Sequence, residues 1–102
     1  MKLRYFFDPG SGVCLWSADD EAIKAFGYPV ELKHLPVSQE LAALGQQLIA
    51  KFDTSIDWEY PPNPSPWSSA QRESFRAASQ QFYTRLSSEL GTRFEVVDET
   101  HA

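Results

Sequence analysis

Phe75, Ala78, Phe82, Leu86 and Leu90 recur at intervals of three and four residues, the spacing of one face of an α-helix. Start and stop signals frame the stripe. Ser68 stands three residues before Gln71, the pairing of a capping box, and Gly91 follows the last apolar position. Ser65 is an alternative cap, with Pro66 then falling in a first turn, where proline is tolerated. Arg72, Glu73, Arg76, Arg85 and Glu89 fall mostly on other faces. The apolar face needs a partner layer, and 102 residues leave room for only one domain, spanning 1–102, with a modest core.

The segments that supply the partner layer are short. Leu3 to Phe7 is rich in aromatics and reads as a strand, and Val13 to Trp16 as a second. Between them Asp8-Pro9-Gly10-Ser11-Gly12 carries turn chemistry, because proline presets φ and glycine takes φ > 0. The pair is expected to form a β-hairpin. Ser17 is read as the cap of a short helix over 18–26, with acids in its first turn and Gly27 as its stop. Tyr28 to Val37, with two prolines, reads as a connecting loop with Leu32 and Leu35 pointing inward. Ser38 caps a second helix whose stripe is Leu41, Leu44, Leu48 and Phe52, interrupted by Gly45. Arg93 to Val97 reads as a last strand. The expected fold is α+β: a small antiparallel sheet, built from the N-terminal hairpin and the C-terminal strand, covered by about three helices.

Charge narrows the partners. Nine Lys and Arg stand against fourteen Asp and Glu, a net charge of −5. A nucleic-acid binder needs the opposite surplus, whereas an acidic surface suits a basic partner. The first half of the chain is nearly balanced. The acidity gathers at Asp53, Asp57 and Glu59, and again at Glu95, Asp98 and Glu99. Cys14 is the single cysteine, which rules out an internal disulfide and fits a reducing compartment. The apolar run at the start is too short for a signal peptide and ends at Asp8-Pro9. No run approaches a membrane span. The expectation is a cytoplasmic protein with no membrane and no nucleic-acid partner.

No catalytic constellation emerges. The glycines at 10–12 lack the Lys-Ser/Thr and the following helix that a phosphate loop requires. His34 and His101 have no ligand cluster around them, so no zinc site is expected. Cys14 lies between Val13 and Leu15 in a strand and reads as core. Asp57 and Glu59 sit two apart, but a glycosidase-type pair needs a large sugar cleft. Asp53, Asp57 and Asp98 form no calcium-loop pattern. The reading is no enzyme, no cofactor and no metal.

The stretch "DWEYPPNPSPW" at 57–67 is therefore the most informative segment. Its prolines stiffen it, and it joins two helices rather than two domains. Trp58 and Trp67 are expected to pack back on the helices. Rigid aromatic anchors beside carboxylates suit a protein–protein hot spot. Asp57, Trp58, Glu59 and Tyr60 are the candidate contacts, with Asp53, Asp98 and Glu99 secondary. Charge reversal at Asp57 and Glu59 is expected to leave the fold intact.

Three strings, "YFFDPGSGVCLWS" at 5–17, "DTSIDWEYPPNPSPWS" at 53–68 and "ELGTRFEVVDE" at 89–99, resemble small bacterial proteins that include immunity partners of polymorphic toxins such as Rhs-type effectors. The resemblance implies a protein that binds a cognate toxin domain and blocks its active site or substrate access. It carries over no catalytic residue. The alternative is a small non-enzymatic adaptor, or a homodimeric binding module that uses the exposed side of the sheet.

Overall fold

The structure, a computed structural model, describes residues 1–100; His101 lies outside the described residues. Strand β1 is Lys2–Tyr5 and β2 is Leu15–Ser17, paired antiparallel with Leu3 opposite Ser17 and Tyr5 opposite Leu15. The intervening turn is the expected one: Ser11 N–H donates to the Asp8 carbonyl at 3.1 Å, and Gly10 takes φ +82°, which a side chain would disfavour.

Helix α1, Asp20–Phe26, begins two residues later than expected. Its cap is Asp19, whose carboxylate accepts from Ala22 N at 2.8 Å. Ser17 belongs instead to β2, where its hydroxyl donates to the Gly27 carbonyl. The expected loop 28–37 contains a two-residue strand, β3 at Pro29–Val30, that pairs antiparallel with β2, and a 3-10 turn at Leu32–His34. Leu32 and Leu35 do point inward.

Helix α2, Gln39–Asp53, is capped by Ser38 as expected. Its most buried face is Leu41, Gly45 and Ile49, while Leu44 and Leu48 are only half-buried. Gly45 is where α2 comes closest to its neighbours. A Cβ built there would stand 2.9 Å from Phe82 Cζ and closer still to Leu32 Cδ1. Helix α3, Ser69–Leu90, opens with the capping box at Ser68 and Gln71 and ends at Gly91 with φ +70°. Its buried positions are Ser79, Phe82, Leu86 and Leu90; Ala78 faces outward.

The last strand, β4 at Glu95–Asp98, corrects the sheet. It pairs with β1 in parallel, Lys2 opposite Glu95 and Tyr5 opposite Asp98, so the sheet is mixed, in the order β3-β2-β1-β4. The direction follows from α3: only a short 3-10 turn at Gly91–Arg93 separates the helix from the strand, so β4 runs back along the way α3 came. The fold is of the small α+β kind, with four strands and three helices among the described residues.

Leu3 and Tyr5 on β1 face the helices and are fully buried. The Tyr5 hydroxyl lies 2.8 Å from Ser79 Oγ on α3, and burial pushes its pKa well above the ordinary phenol range. Cys14 is core as expected, its thiol pushed up to about 12 by burial. Two carboxylates tie elements together near the surface. Glu89 accepts from Ser38 N at 2.7 Å, joining α3 to the start of α2. Glu99 grips Arg4 through two bonds, at 2.9 and 2.8 Å, joining the end of β4 to β1. The Ser38 N–H holds the Glu89 pKa below its ordinary value, and the Arg4 guanidinium does the same for Glu99.

Two expectations follow. Gly45→Ala gains helix propensity of about 1 kcal/mol but forces Leu32 and Phe82 apart, an overpacking cost of about 1–3 kcal/mol. Urea unfolding is expected to show a net loss; a net gain would mean that Leu32 rotates aside without strain. For pH, a carboxyl with a depressed folded pKa binds its proton more readily when unfolded. The stability from Glu89 and Glu99 is therefore complete above the unfolded value of about 4.3 and is lost as pH falls through the lower folded values. The double variant E89Q/E99Q should melt lower at pH 7 and show a shallower decline below pH ~4 than the parent. Identical acid slopes would exclude these two pairs as the source.

Candidate functional site

The loop from Thr54 to Trp67 is folded through its own hydrogen bonds. Helix α2 leaves carbonyls without partners at its end, and the loop supplies donors to them. The Thr54 hydroxyl donates to the Lys51 carbonyl at 2.6 Å, and Trp58 Nε1 donates to the Asp53 carbonyl at 2.8 Å. The Asp57 carboxylate then organises the next turn. It accepts from Glu59 N at 3.1 Å, Tyr60 N at 3.3 Å and Asn63 Nδ2 at 3.0 Å, an Asx-type arrangement. These donors, Asn63 foremost, hold its pKa below the ordinary range. At the far end Trp67 Nε1 donates to Thr54 Oγ1 at 2.8 Å, which brings the two ends of the loop together.

The two tryptophans part company here. Trp67 is buried among Phe52 and Phe75, with ring centroids at 6.3 and 5.1 Å, and the Phe7 ring lies 5.2 Å from Phe52. Trp58 was expected to pack back in the same way, but its ring rests against the Gly10 turn and remains 56 % exposed. Tyr60 is 59 % exposed, and Glu59 between them is exposed with no side-chain hydrogen bond among the described residues. Asp53 anchors the loop to the hairpin by accepting from Gly10 N at 3.0 Å.

The seven acidic and aromatic candidates thus divide. Trp58, Glu59 and Tyr60 present their side chains outward. Asp53 and Asp57 hold the loop's shape. Asp98 accepts from Thr100 N and Oγ1, and Glu99 is occupied by Arg4. Among the described residues no hydrogen bond or ion pair links Asp98 or Glu99 to the loop. The bonds at Asp57 also correct one expectation: charge reversal there removes three acceptor contacts and cannot be treated as a surface change.

Beside the loop runs a cleft of about 830 Å³, bounded by α3 on one side and by β1 and the residues after β4 on the other. Phe7, Phe52, Trp67 and Phe75 line its floor, and Arg72 and Arg76 stand at its rim. Sequence reasoning passed over it, although Arg72 and Arg76 lie one helical turn apart next to Phe75, a detectable signal. The exposed side of the sheet, the surface of the alternative homodimeric module, is aromatic: Phe6 stacks on Trp16 at 4.9 Å and Tyr28 follows at 5.3 Å, with Arg4 over the Phe6 ring at 5.2 Å. The alternation Lys2-Leu3-Arg4-Tyr5 foretells such a two-faced strand.

Little of this arrangement offers chemistry. Among the described residues no three His, Cys, Asp or Glu side chains gather to hold a metal ion. His34 is surface-exposed beside Glu31. Among the described residues no helix is long and apolar enough to cross a membrane. What the geometry offers is surface: an ordered aromatic–acidic loop and an aromatic cleft beside it.

The comparisons agree with a binding role. No curated protein matches the chain. A family model described as "Serratia CdiI immunity protein-like" matches residues 2–98, nearly the whole length. The match bears out the resemblance to toxin immunity partners, as immunity proteins of contact-dependent inhibition toxins; it does not bear on the Rhs-type attribution. The chain belongs to the Serratia CdiI immunity protein-like family.

Proposed function

We propose that this chain neutralises a cognate toxin by docking the Trp58-Glu59-Tyr60 surface against it, covering the toxin's active site or the path of substrate to it. The reading rests on one observation above the others: three adjacent side chains, two of them large aromatics, stand in solvent on a loop whose backbone is already fixed. A fixed loop forfeits little entropy on binding, and Trp and Tyr are the residues that most often dominate interfaces. The net charge of −5 favours a basic toxin face. Asp53, Asp98 and Glu99 enter as secondary contacts, and Asp57 acts by shaping the loop. The protein works in the cytoplasm by binding alone, without catalysis.

The direct test is co-expression with the C-terminal domain of the adjacent upstream reading frame. Co-elution on size exclusion together with rescued growth supports immunity; neither complex nor toxicity overturns it. Given a complex, Trp58→Ala and Tyr60→Ala are each expected to weaken binding by about 2 kcal/mol or more, roughly thirtyfold, with unchanged melting temperature for Tyr60→Ala and a lowered one for Trp58→Ala, which also loses the Nε1 bond to the Asp53 carbonyl. Glu59→Lys is expected mainly to slow association and to flatten its salt dependence. Asp57→Ala is expected to weaken binding while also increasing hydrogen exchange at Glu59 and Tyr60, whose amides lose their acceptor. Full affinity in all four variants would move the interface elsewhere.

A further inference from the structure

The cleft beside the loop has its own chemistry, and it is the complement of the loop's. Arg72 and Arg76 stand at i and i+4 on α3, both exposed, and neither forms an ion pair among the described residues. Two like charges one turn apart repel and are not favoured for the helix alone. Arg4, across the cleft, differs because Glu99 already neutralises it. The floor beneath the two arginines is aromatic: Phe52, Trp67 and Phe75. The site therefore suits a carboxylate carried next to an aromatic side chain.

A phosphate-bearing ligand fits less well. At the α3 N-terminus beside the cleft, the capping box already occupies the Ser68 and Gln71 amides, which leaves fewer donors for an anion.

A segment with the required chemistry lies on the same chain. Trp58-Glu59-Tyr60 carries one carboxylate without a partner among the described residues between two exposed aromatics. The loop that bears it ends at Trp67, a wall of the cleft. Donor and acceptor halves of one contact thus sit on the same chain, as a two-fold interface requires: each copy offers its loop to the other's cleft and receives the other's loop in return. One loop alone is too small for a stable interface of about 800 Å² per partner, and loop and cleft used reciprocally enlarge the buried patch.

We infer that the free protein forms a two-fold dimer in which the Trp58-Glu59-Tyr60 loop of each copy enters the Arg72–Arg76 cleft of the other. Because the proposed toxin contact uses the same loop, toxin binding and dimerisation exclude one another. The inference is tested on the chain alone, so its outcome is separate from that of the toxin reading.

Sedimentation velocity of the purified chain over about 1–500 μM, spanning weak to moderate affinities, should show a single monomer–dimer equilibrium. Arg72→Glu with Arg76→Glu, and separately Glu59→Lys, should each raise the dissociation constant at least ~10-fold, since each opposes like charges across the contact. Combining all three exchanges the charges and should restore it to within ~3-fold of the parent. All these positions are exposed, and circular dichroism of each variant is the check that it folds. A chain that stays monomeric throughout, reversal variants that dimerise like the parent, a triple variant that fails to recover, or a mass that grows without limit would each overturn the proposal.

Discussion

The contact between Tyr5 and α3 sets the position of everything else. Tyr5 is fully buried on the central strand β1, and its hydroxyl meets Ser79 at the middle of a 22-residue helix. A buried hydroxyl without a partner is costly, so the two oxygens fix where along its length the helix crosses the sheet. Phe82 and Tyr83 then pack their rings 5.8 and 5.7 Å from that of Tyr5. Once α3 is placed, its start at Ser68 places Trp67, and Trp67 pins the end of the exposed loop to the end of α2. The candidate site is thus a consequence of core packing more than ten residues away along the helix.

Helical segments were readable because their signals are local. Ser38, Ser68, Gln71 and Gly91 each act through bonds within a few residues, and the Phe82-Leu86-Leu90 stripe has one period. What escaped depends on distant partners. Ala78 and Ser79 exchange their expected roles because the group that satisfies Ser79 is 74 residues away. Ser17 and Asp19 are both competent caps; pairing of Ser17 with the sheet leaves the cap to Asp19. β3 is two residues long and includes a proline, so no alternation announces it. The parallel direction of β4 is decided by α3, not by anything in Glu95–Asp98.

The site was legible as composition and less so as geometry. Acid and aromatic density marked out the 53–60 segment, and the structure shows it as an ordered loop with Trp58, Glu59 and Tyr60 exposed. Sequence alone does not separate a carboxylate that faces solvent from one that organises its own backbone, and Asp57 and Glu59, two residues apart, are one of each. Likewise Trp58 and Trp67 have the same chemistry, but only Trp67 has Phe52 and Phe75 within reach. The arginine-rimmed cleft needed the third dimension, because its walls come from β1, the end of α2, α3 and the residues after β4.

The central claim is that the Thr54–Trp67 loop is a pre-shaped contact surface for a toxin. Hydrogen exchange of the chain at dilute concentration, alone and with a toxin domain that it binds, is the decisive measurement. Amides held by Asp57 should already be protected in the free protein, and the added protection on binding should centre on residues 54–67. Rapid exchange of the free loop, or new protection confined to other elements while the loop is unchanged, would contradict it.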